Sequence, residues 1–192
     1  MTRPMLVLAL ACACGGNASR AAAPRGGQAE DDPRVVPSGY VRMEVREVVS
    51  LSEGEAVLLV DGERTVLPIF IGGTEAVSIA LRLRNQPAPR PLTHDLLDSI
   101  VRQLGGQLVK VQVDRLVGGI YIGSVFLRTA HGIRRIDARP SDAIALAIGN
   151  RVPIYVARTV LDQSGLQPDD LDKTQVRLER PARRGRDPRF RS

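Results

Sequence analysis

Three short segments carry the side chains able to do hydrolytic chemistry: Gly72-Gly73-Thr74-Glu75, Arg90-Pro91-Leu92-Thr93-His94-Asp95 and Asp137-Ala138-Arg139-Pro140-Ser141-Asp142. Hydrolysis of an ester requires an activated water, neutralised charge on the group attacked and a stabilised leaving oxygen. One or two divalent metals held by carboxylates supply all three. Mg²⁺ takes a few carboxylates and fills its shell with water, and Mn²⁺ shares the preference for oxygen. Glu75, Asp137 and Asp142 are the candidate metal ligands. His94, Asp95, Asp137 and Asp142 are the candidate catalytic groups, with His94 as acid or base, the commonest role of a catalytic histidine. Arg90 and Arg139 can clamp phosphate through their forked donors, and Ser141 with the N–H groups after it can hold a phosphate oxygen at a helix start.

The same residues have structural roles open to them. Thr74, Thr93 and Ser141 are good helix N-caps, and Glu75, Asp95 and Asp142 are favourable first-turn acids beside the positive end of a helix dipole. Asp137 and Arg139 can pair with each other to order the turn between them. His94 can hydrogen-bond a neighbouring strand, and His131, next to Gly132, reads as a solvated turn residue. None of these spacings is a metal signature in itself, and only the fold can bring the three segments together.

The elements that must position them follow from hydrophobic periodicity. Tyr40–Leu51 alternates Val41, Met43 and Val45 with Arg42, Glu44 and Arg46, the period of a strand. The run 56–60, a turn at Asp61-Gly62 and a return over 65–71 predict a hairpin. A helix follows from Thr74 through Ala76, Ile79, Ala80 and Leu83. The Pro-rich stretch 86–91 cannot be helical. A second helix from Thr93 puts Leu96, Leu97, Ile100, Val101 and Leu104 on one face and ends at Gly105-Gly106. Strands are expected over 108–117, 120–128 and 133–138. A helix apolar all round, and so buried, is expected over 142–148, then a strand over 153–156 and a helix over 158–163. Strands clustered before helices argue for an α+β domain, a mixed or antiparallel sheet with helices packed on it. Aromatics make up only 3% of the chain, so the core must be aliphatic. No G-x-G-x-x-G or P-loop occurs, which leaves nucleotide-cofactor chemistry without support.

The strings LPIFIGGTEA, RPLTHDLL, IDARPSDAIALA and VPIYVARTVLDQSG, in that order, resemble the bifunctional nuclease domain family over about 120 residues; DARPSDAIALA is the sharpest of them. The resemblance implies an α+β fold and activity on both RNA and DNA. It assigns no catalytic residues, so the roles given above rest on chemistry alone.

The ends of the chain read differently. Residues 1–14 pair Arg3 with the apolar run 5–11 and then Cys12 and Cys14, a leader resembling that of a bacterial lipoprotein, though Ala9 stands where Leu is usual. Residues 15–39 read as a flexible linker, 40–170 as the domain and 171–192 as an Arg-rich tail. From Arg177 to Ser192 seven arginines face two acids, which accounts for +5 of the chain's +6 and leaves the body near neutral. These features predict a cell-envelope protein, lipid-anchored or periplasmic, or a cytoplasmic one if translation starts further along. Nucleic acid is the expected partner, drawn partly by the tail, with a membrane anchor and a homo-oligomer as further expectations. The first functional expectation is a metal-assisted nuclease using Mg²⁺ or Mn²⁺. Its rival is a non-catalytic binding or assembly module in which the Asp-Ala-Arg-Pro-Ser-Asp segment is a latch. An enzyme acting on a small molecule is a third.

Overall fold

The structure is a computed structural model and describes residues 35–170 apart from 52, 53, 63 and 168. The leader, most of the linker and the Arg-rich tail lie outside the described residues, as do the readings placed on Cys12 and Cys14.

Seven strands and four helices form one α+β unit. The strands are β1 (Tyr40–Leu51), β2 (Gly54–Asp61), β3 (Thr65–Ile71), β4 (Gln107–Val117), β5 (Ile120–Thr129), β6 (Gly132–Ala138) and β7 (Ile154–Ala157). The helices are α1 (Gly73–Leu83), α2 (Thr93–Gln103), α3 (Pro140–Asn150) and α4 (Arg158–Ser164). The sheet order is β3-β2-β1-β7-β4-β5-β6. Every neighbouring pair is antiparallel except β4 and β7, which run parallel, so the sheet is mixed.

Among the described residues the last strand, β7, lies at the centre of the sheet. Residues 154–157 are all buried, as a short strand covered on both faces must be. Val111 and Val113 of β4 register with Ile154 and Val156 of β7, and Val41 and Met43 of β1 flank the same pair. Strand side chains alternate between faces, so these residues share one face. On it sits α3, whose Ala143, Ile144, Ala145, Leu146 and Ala147 are buried against β4 and β5. The helix expected to be apolar all round is the central helix of the core. The first helix, α1, packs on α3, β1 and β2, and α2 packs on α3.

Three helix starts differ from expectation. The N-caps are Gly72, Leu92 and Arg139, not Thr74, Thr93 and Ser141. In α3, Pro140 takes the first helical position, where its missing N–H costs nothing, and this moves the cap back to Arg139. In α2 the capping function passes to Asp95, whose carboxylate accepts a hydrogen bond from the Leu92 N–H at 2.9 Å.

The apolar stripe of α2 is the exposed one. Leu96, Leu97 and Ile100 are about half exposed and Leu104 is 82% exposed. The edge of α2 that meets α1 and α3 is polar: His94, Asp95 and Asp98. Asp95 and Asp98 both pair with Arg82 of α1, at 2.7 and 2.9 Å, and Arg82 also donates to the Ala145 carbonyl of α3 at 2.9 Å. α2 is therefore joined to α1 by ion pairs and not through its own apolar stripe.

Candidate functional site

The starts of α1, α2 and α3 converge. Glu75 lies in the first turn of α1, His94 in that of α2 and Asp142 in that of α3, with Arg139 at the cap of α3. Arg139 forks Asp142 through Nε and Nη2 at 2.7 and 2.9 Å, and the same Nη2 reaches Glu75 Oε1 at 2.6 Å. Its Nη1 has no partner among the described residues, and the side chain is 68% exposed. The guanidinium is thus gripped along one edge by two carboxylates while the remaining donors face solvent.

Behind Arg139 the cluster continues inward. His94 Nε2 is 3.2 Å from Asp142 Oδ1, and His94 Nδ1 is 2.8 Å from the Ser78 hydroxyl. An ionised carboxylate can only accept, so Nε2 carries the hydrogen it donates to Asp142, and in the neutral ring Nδ1 accepts from Ser78. Ser78 and His94 are both buried, at 3% and 6% exposure. With both ring nitrogens engaged, His94 orients Asp142 instead of meeting solvent.

Burial pushes the Asp142 carboxyl up. The hydrogen bonds and positive charge of Arg139, with a further hydrogen bond from His94, outweigh that and hold it below the usual carboxylate range. The two carboxylates in turn hold the Arg139 guanidinium well above its ordinary value, first through the Asp142 hydrogen bonds and then through Glu75. Glu75 folds back over the N-cap, where its Oε2 comes within 2.5 Å of the point a Cβ on Gly72 would occupy. A side chain at this position would require the Glu75 carboxylate to shift.

Of the residues singled out by sequence, Glu75, His94, Arg139 and Asp142 are brought together. Asp95 is not in the cluster: its carboxylate caps α2 and pairs with Arg82. The Leu92 N–H is the chief cause of its lowered pKa; burial opposes this and Arg82 reinforces it. Asp95 lines a separate pocket of about 250 Å³ with Ser78, Arg82, Leu92 and Pro91. Asp137 is exposed on β6, and its side chain has no partner among the described residues. The expected pair between Asp137 and Arg139 does not form: β6 ends at Ala138, and Arg139, at the cap of α3, turns to Asp142 and Glu75. Arg90 is exposed in the Pro-rich loop and unpaired among the described residues. Ser141 is 8% exposed and takes no part in the ion pairs.

Sequence reasoning missed Ser78 and Arg82. Their signal is the spacing of α1, where Glu75, Ser78 and Arg82 recur at three and four residues as a polar edge beside Ala76 and Ile79. It also missed a second polar network on the sheet face away from α3. The Asp114 carboxylate, 6% exposed, accepts from Ser124 at 2.6 Å, Tyr40 at 2.8 Å and Arg135 at 2.9 Å. Burial first and the Asp114 partner second push the Tyr40 phenol up to about 12. This network is closed on itself, three donors around one carboxylate, and braces β1, β4, β5 and β6. Its sequence signal was the alternation Lys110, Gln112, Asp114 inside an apolar strand.

The donor chemistry of Glu75 and Asp142 suits a hard cation such as Mg²⁺ or Mn²⁺, but both carboxylates are engaged by Arg139. Among the described residues no three His, Cys, Asp or Glu side chains are grouped to hold a metal. The residues therefore do not form a closed metal cage.

A family model described as the bifunctional nuclease domain matches residues 56–169. A chain from Mycobacterium tuberculosis described as an uncharacterized protein is 42% identical over 138 residues, 68% of this chain and 81% of that protein. Bifunctional nuclease 1 of Oryza sativa subsp. indica is 28% identical over 110 residues, 56% of this chain. Bifunctional nuclease 2 of Arabidopsis thaliana is 27% identical over 116 residues, 59% of this chain. The chain spans about a third of the length of the two plant proteins, 33% and 35%. The matched stretch begins after β1, yet β1 is hydrogen-bonded between β2 and β7 and belongs to the same folded unit.

Proposed function

The chain belongs to the bifunctional nuclease domain family, and from that premise we propose that it hydrolyses phosphodiester bonds of RNA or single-stranded DNA at the convergent starts of α1, α2 and α3. One observation supports this above the others: Arg139, held along one edge by Glu75 and Asp142, presents its free Nη1 donors outward. A guanidinium fixed in this way can take a phosphate oxygen without first losing side-chain entropy. In this reading Arg139 binds the scissile phosphate, Asp142 and Glu75 hold Arg139 and face the water to be activated, and His94 and Ser78 position Asp142. Asp95 and Asp137 are left outside the chemistry.

A divalent cation, Mg²⁺ or Mn²⁺, is part of the proposal on chemical grounds. With no closed cage among the described residues, it would be held through one or both of Glu75 and Asp142 together with water and substrate phosphate, the usual habit of Mg²⁺. When bound it would neutralise developing charge on the phosphate.

The rival module without catalysis draws on one specific observation. Every inward polar group of the cluster is mutually satisfied, as in a latch joining three helices. The two are separated by incubating the full chain with labelled RNA and single-stranded DNA in Mg²⁺, Mn²⁺ or EDTA, beside folded Asp142→Ala and Asp137→Ala variants. Metal-dependent cleavage lost in the first variant and kept in the second supports the nuclease site described. No cleavage by the parent chain supports the latch.

Envelope placement and anchoring through Cys12 or Cys14 are proposals resting on sequence alone, tested by cell fractionation and by the mass of the mature N-terminal peptide. Among the described residues no helix is long and apolar enough to cross a membrane. A homo-oligomer is proposed from the exposed stripe of α2; sedimentation velocity of the parent chain beside Ile100→Glu tests it.

A further inference from the structure

At the far end of α3 from the cluster lies a groove of about 540 Å³ lined by Arg42 of β1, Arg128 of β5, Arg151, Gln107, Val152 and Pro153. Three elements thus bring three guanidinium groups to one concavity with no acidic residue in its lining. Arg42 and Arg151 have no ion pair or hydrogen bond from their side chains among the described residues. Arg128 has only the neutral Gln107 amide, at 3.4 Å. Three other arginines of this near-neutral domain are held by carboxylates, Arg82 by two, Arg135 by Asp114 and Arg139 by two more. Acids line the neighbouring grooves: Glu44 one of about 180 Å³ that shares Arg42 and Arg151, and Asp95 and Asp98 one of about 430 Å³ that shares Arg151.

The backbone supplies an independent observation. Arg151 closes α3 in the left-handed region, φ 55° and ψ 40°. That position favours glycine, and a side chain there is strained. The chain nevertheless places a long cation at it, and Arg151 lines the groove.

We propose that this groove is a second nucleic-acid contact, binding the phosphate backbone of the same strand whose scissile bond lies at Arg139. The proposal rests on the nuclease-site reading and deepens it, naming a long single strand as the preferred substrate. The ruler is α3 itself. Its eleven residues, at a helical rise of about 1.5 Å each, separate cluster and groove by at least ~16 Å, on the order of five phosphates at the duplex spacing per strand. Short substrates reach the cluster alone, and longer ones engage both.

The test measures binding and cleavage separately on the full chain. Binding of a labelled long oligothymidylate in EDTA is followed by fluorescence anisotropy across a salt series, for the parent chain and for an Arg42→Gln, Arg128→Gln, Arg151→Gly variant. The Arg151→Gly change keeps the left-handed backbone, so the variant stays folded, and a thermal melt checks this. The expected result is at least tenfold weaker binding of the long strand, with a salt slope shallower by about two, since each phosphate contact on a single strand contributes roughly 0.7. Cleavage of a dinucleotide should be unchanged. Unchanged affinity and slope for the long strand overturn the groove, even if the parent chain cleaves. Groove-dependent binding without any cleavage sustains the groove and removes the nuclease reading. Loss of binding to phosphatidylglycerol vesicles, with oligonucleotide binding intact, makes the groove a membrane contact and overturns the proposal.

Discussion

His94 Nε2 stands 3.2 Å from Asp142 Oδ1 and ties the first turn of α2 to the first turn of α3 across 48 residues of chain. The imidazole is buried and also holds the Ser78 hydroxyl of α1. Removing it leaves a cavity and two unsatisfied polar groups. His94→Ala is expected to lower unfolding stability by about 2–4 kcal/mol, read as a shift in urea midpoint at unchanged slope. A loss below about 0.5 kcal/mol, within the range of ordinary surface substitutions, would mean that the ring does not bridge the helices.

Arg139 separates stability from activity. Its pairs with Glu75 and Asp142 are short, but the guanidinium is mostly exposed. Exposed pairs contribute little, so Arg139→Lys should cost no more than about 1 kcal/mol of stability. Lysine cannot fork Asp142 and keep donors for a phosphate, so cleavage of RNA or DNA should fall at least tenfold. Equal and small effects on both measurements would remove Arg139 from the proposed chemistry.

Acid should loosen the helix junction in a defined window. The carboxyls of Asp142 and Asp95 are both held below their ordinary values in the folded protein. Each therefore contributes stability above the unfolded value, about 3.9, and that contribution is lost as pH falls through the folded value. Urea midpoints should be flat from neutral to about pH 5 and fall steadily below. The fall should be shallower in Asp142→Asn, which starts from a lower midpoint at neutral pH. An identical acid slope in parent and variant would contradict the assignment.

Gly72→Ala tests how Glu75 is held. Gly72 has φ −74°, where alanine is at ease, so the backbone does not oppose the change. The added methyl would meet Glu75 Oε2 at 2.5 Å and displace the carboxylate from Arg139. The variant should cleave RNA or DNA more slowly than the parent, as should Glu75→Gln, while melting within a few degrees of it; unchanged cleavage in both would remove Glu75 from the proposed site.

Much of this architecture was legible from periodicity. Each strand and helix expected from the sequence is present, with helix starts shifted by one or two residues, and Ile144 and Leu146 are buried as their segment required. The sites were less legible, for physical reasons. Asp95 and Asp142 occupy the same position in their helices, yet Asp95 turns to its own N-cap and Arg82 while Asp142 turns to Arg139 and His94. Local spacing is blind to that choice, because Arg82 reaches it from another helix. The apolar face of α2 misleads similarly: a hydrophobic stripe specifies that one side differs from the other, not that it is covered. The groove of Arg42, Arg128 and Arg151 joins residues distant in sequence and leaves no local pattern.

Gly149 offers a test in which two effects have opposite sign. It lies inside α3, where replacing glycine by alanine normally gains about 1 kcal/mol of helix propensity. Here the new methyl would overlap Arg82 Nη1 and stand 2.8 Å from Arg82 Cζ. Arg82 is 9% exposed and anchors Asp95, Asp98 and the Ala145 carbonyl. Its Nε already lacks a partner among the described residues, so it has no slack hydrogen bonds to exchange. Displacing one member of such a buried ionic junction costs about 3–5 kcal/mol, several times the gain in propensity. Gly149→Ala should therefore destabilise by roughly 2–4 kcal/mol, the difference between those terms. In an Arg82→Ala background, where the obstacle is gone, the same substitution should become neutral or stabilising. Urea denaturation of the four proteins of this cycle measures both signs; additive losses would show that Arg82 is not what Gly149 makes room for.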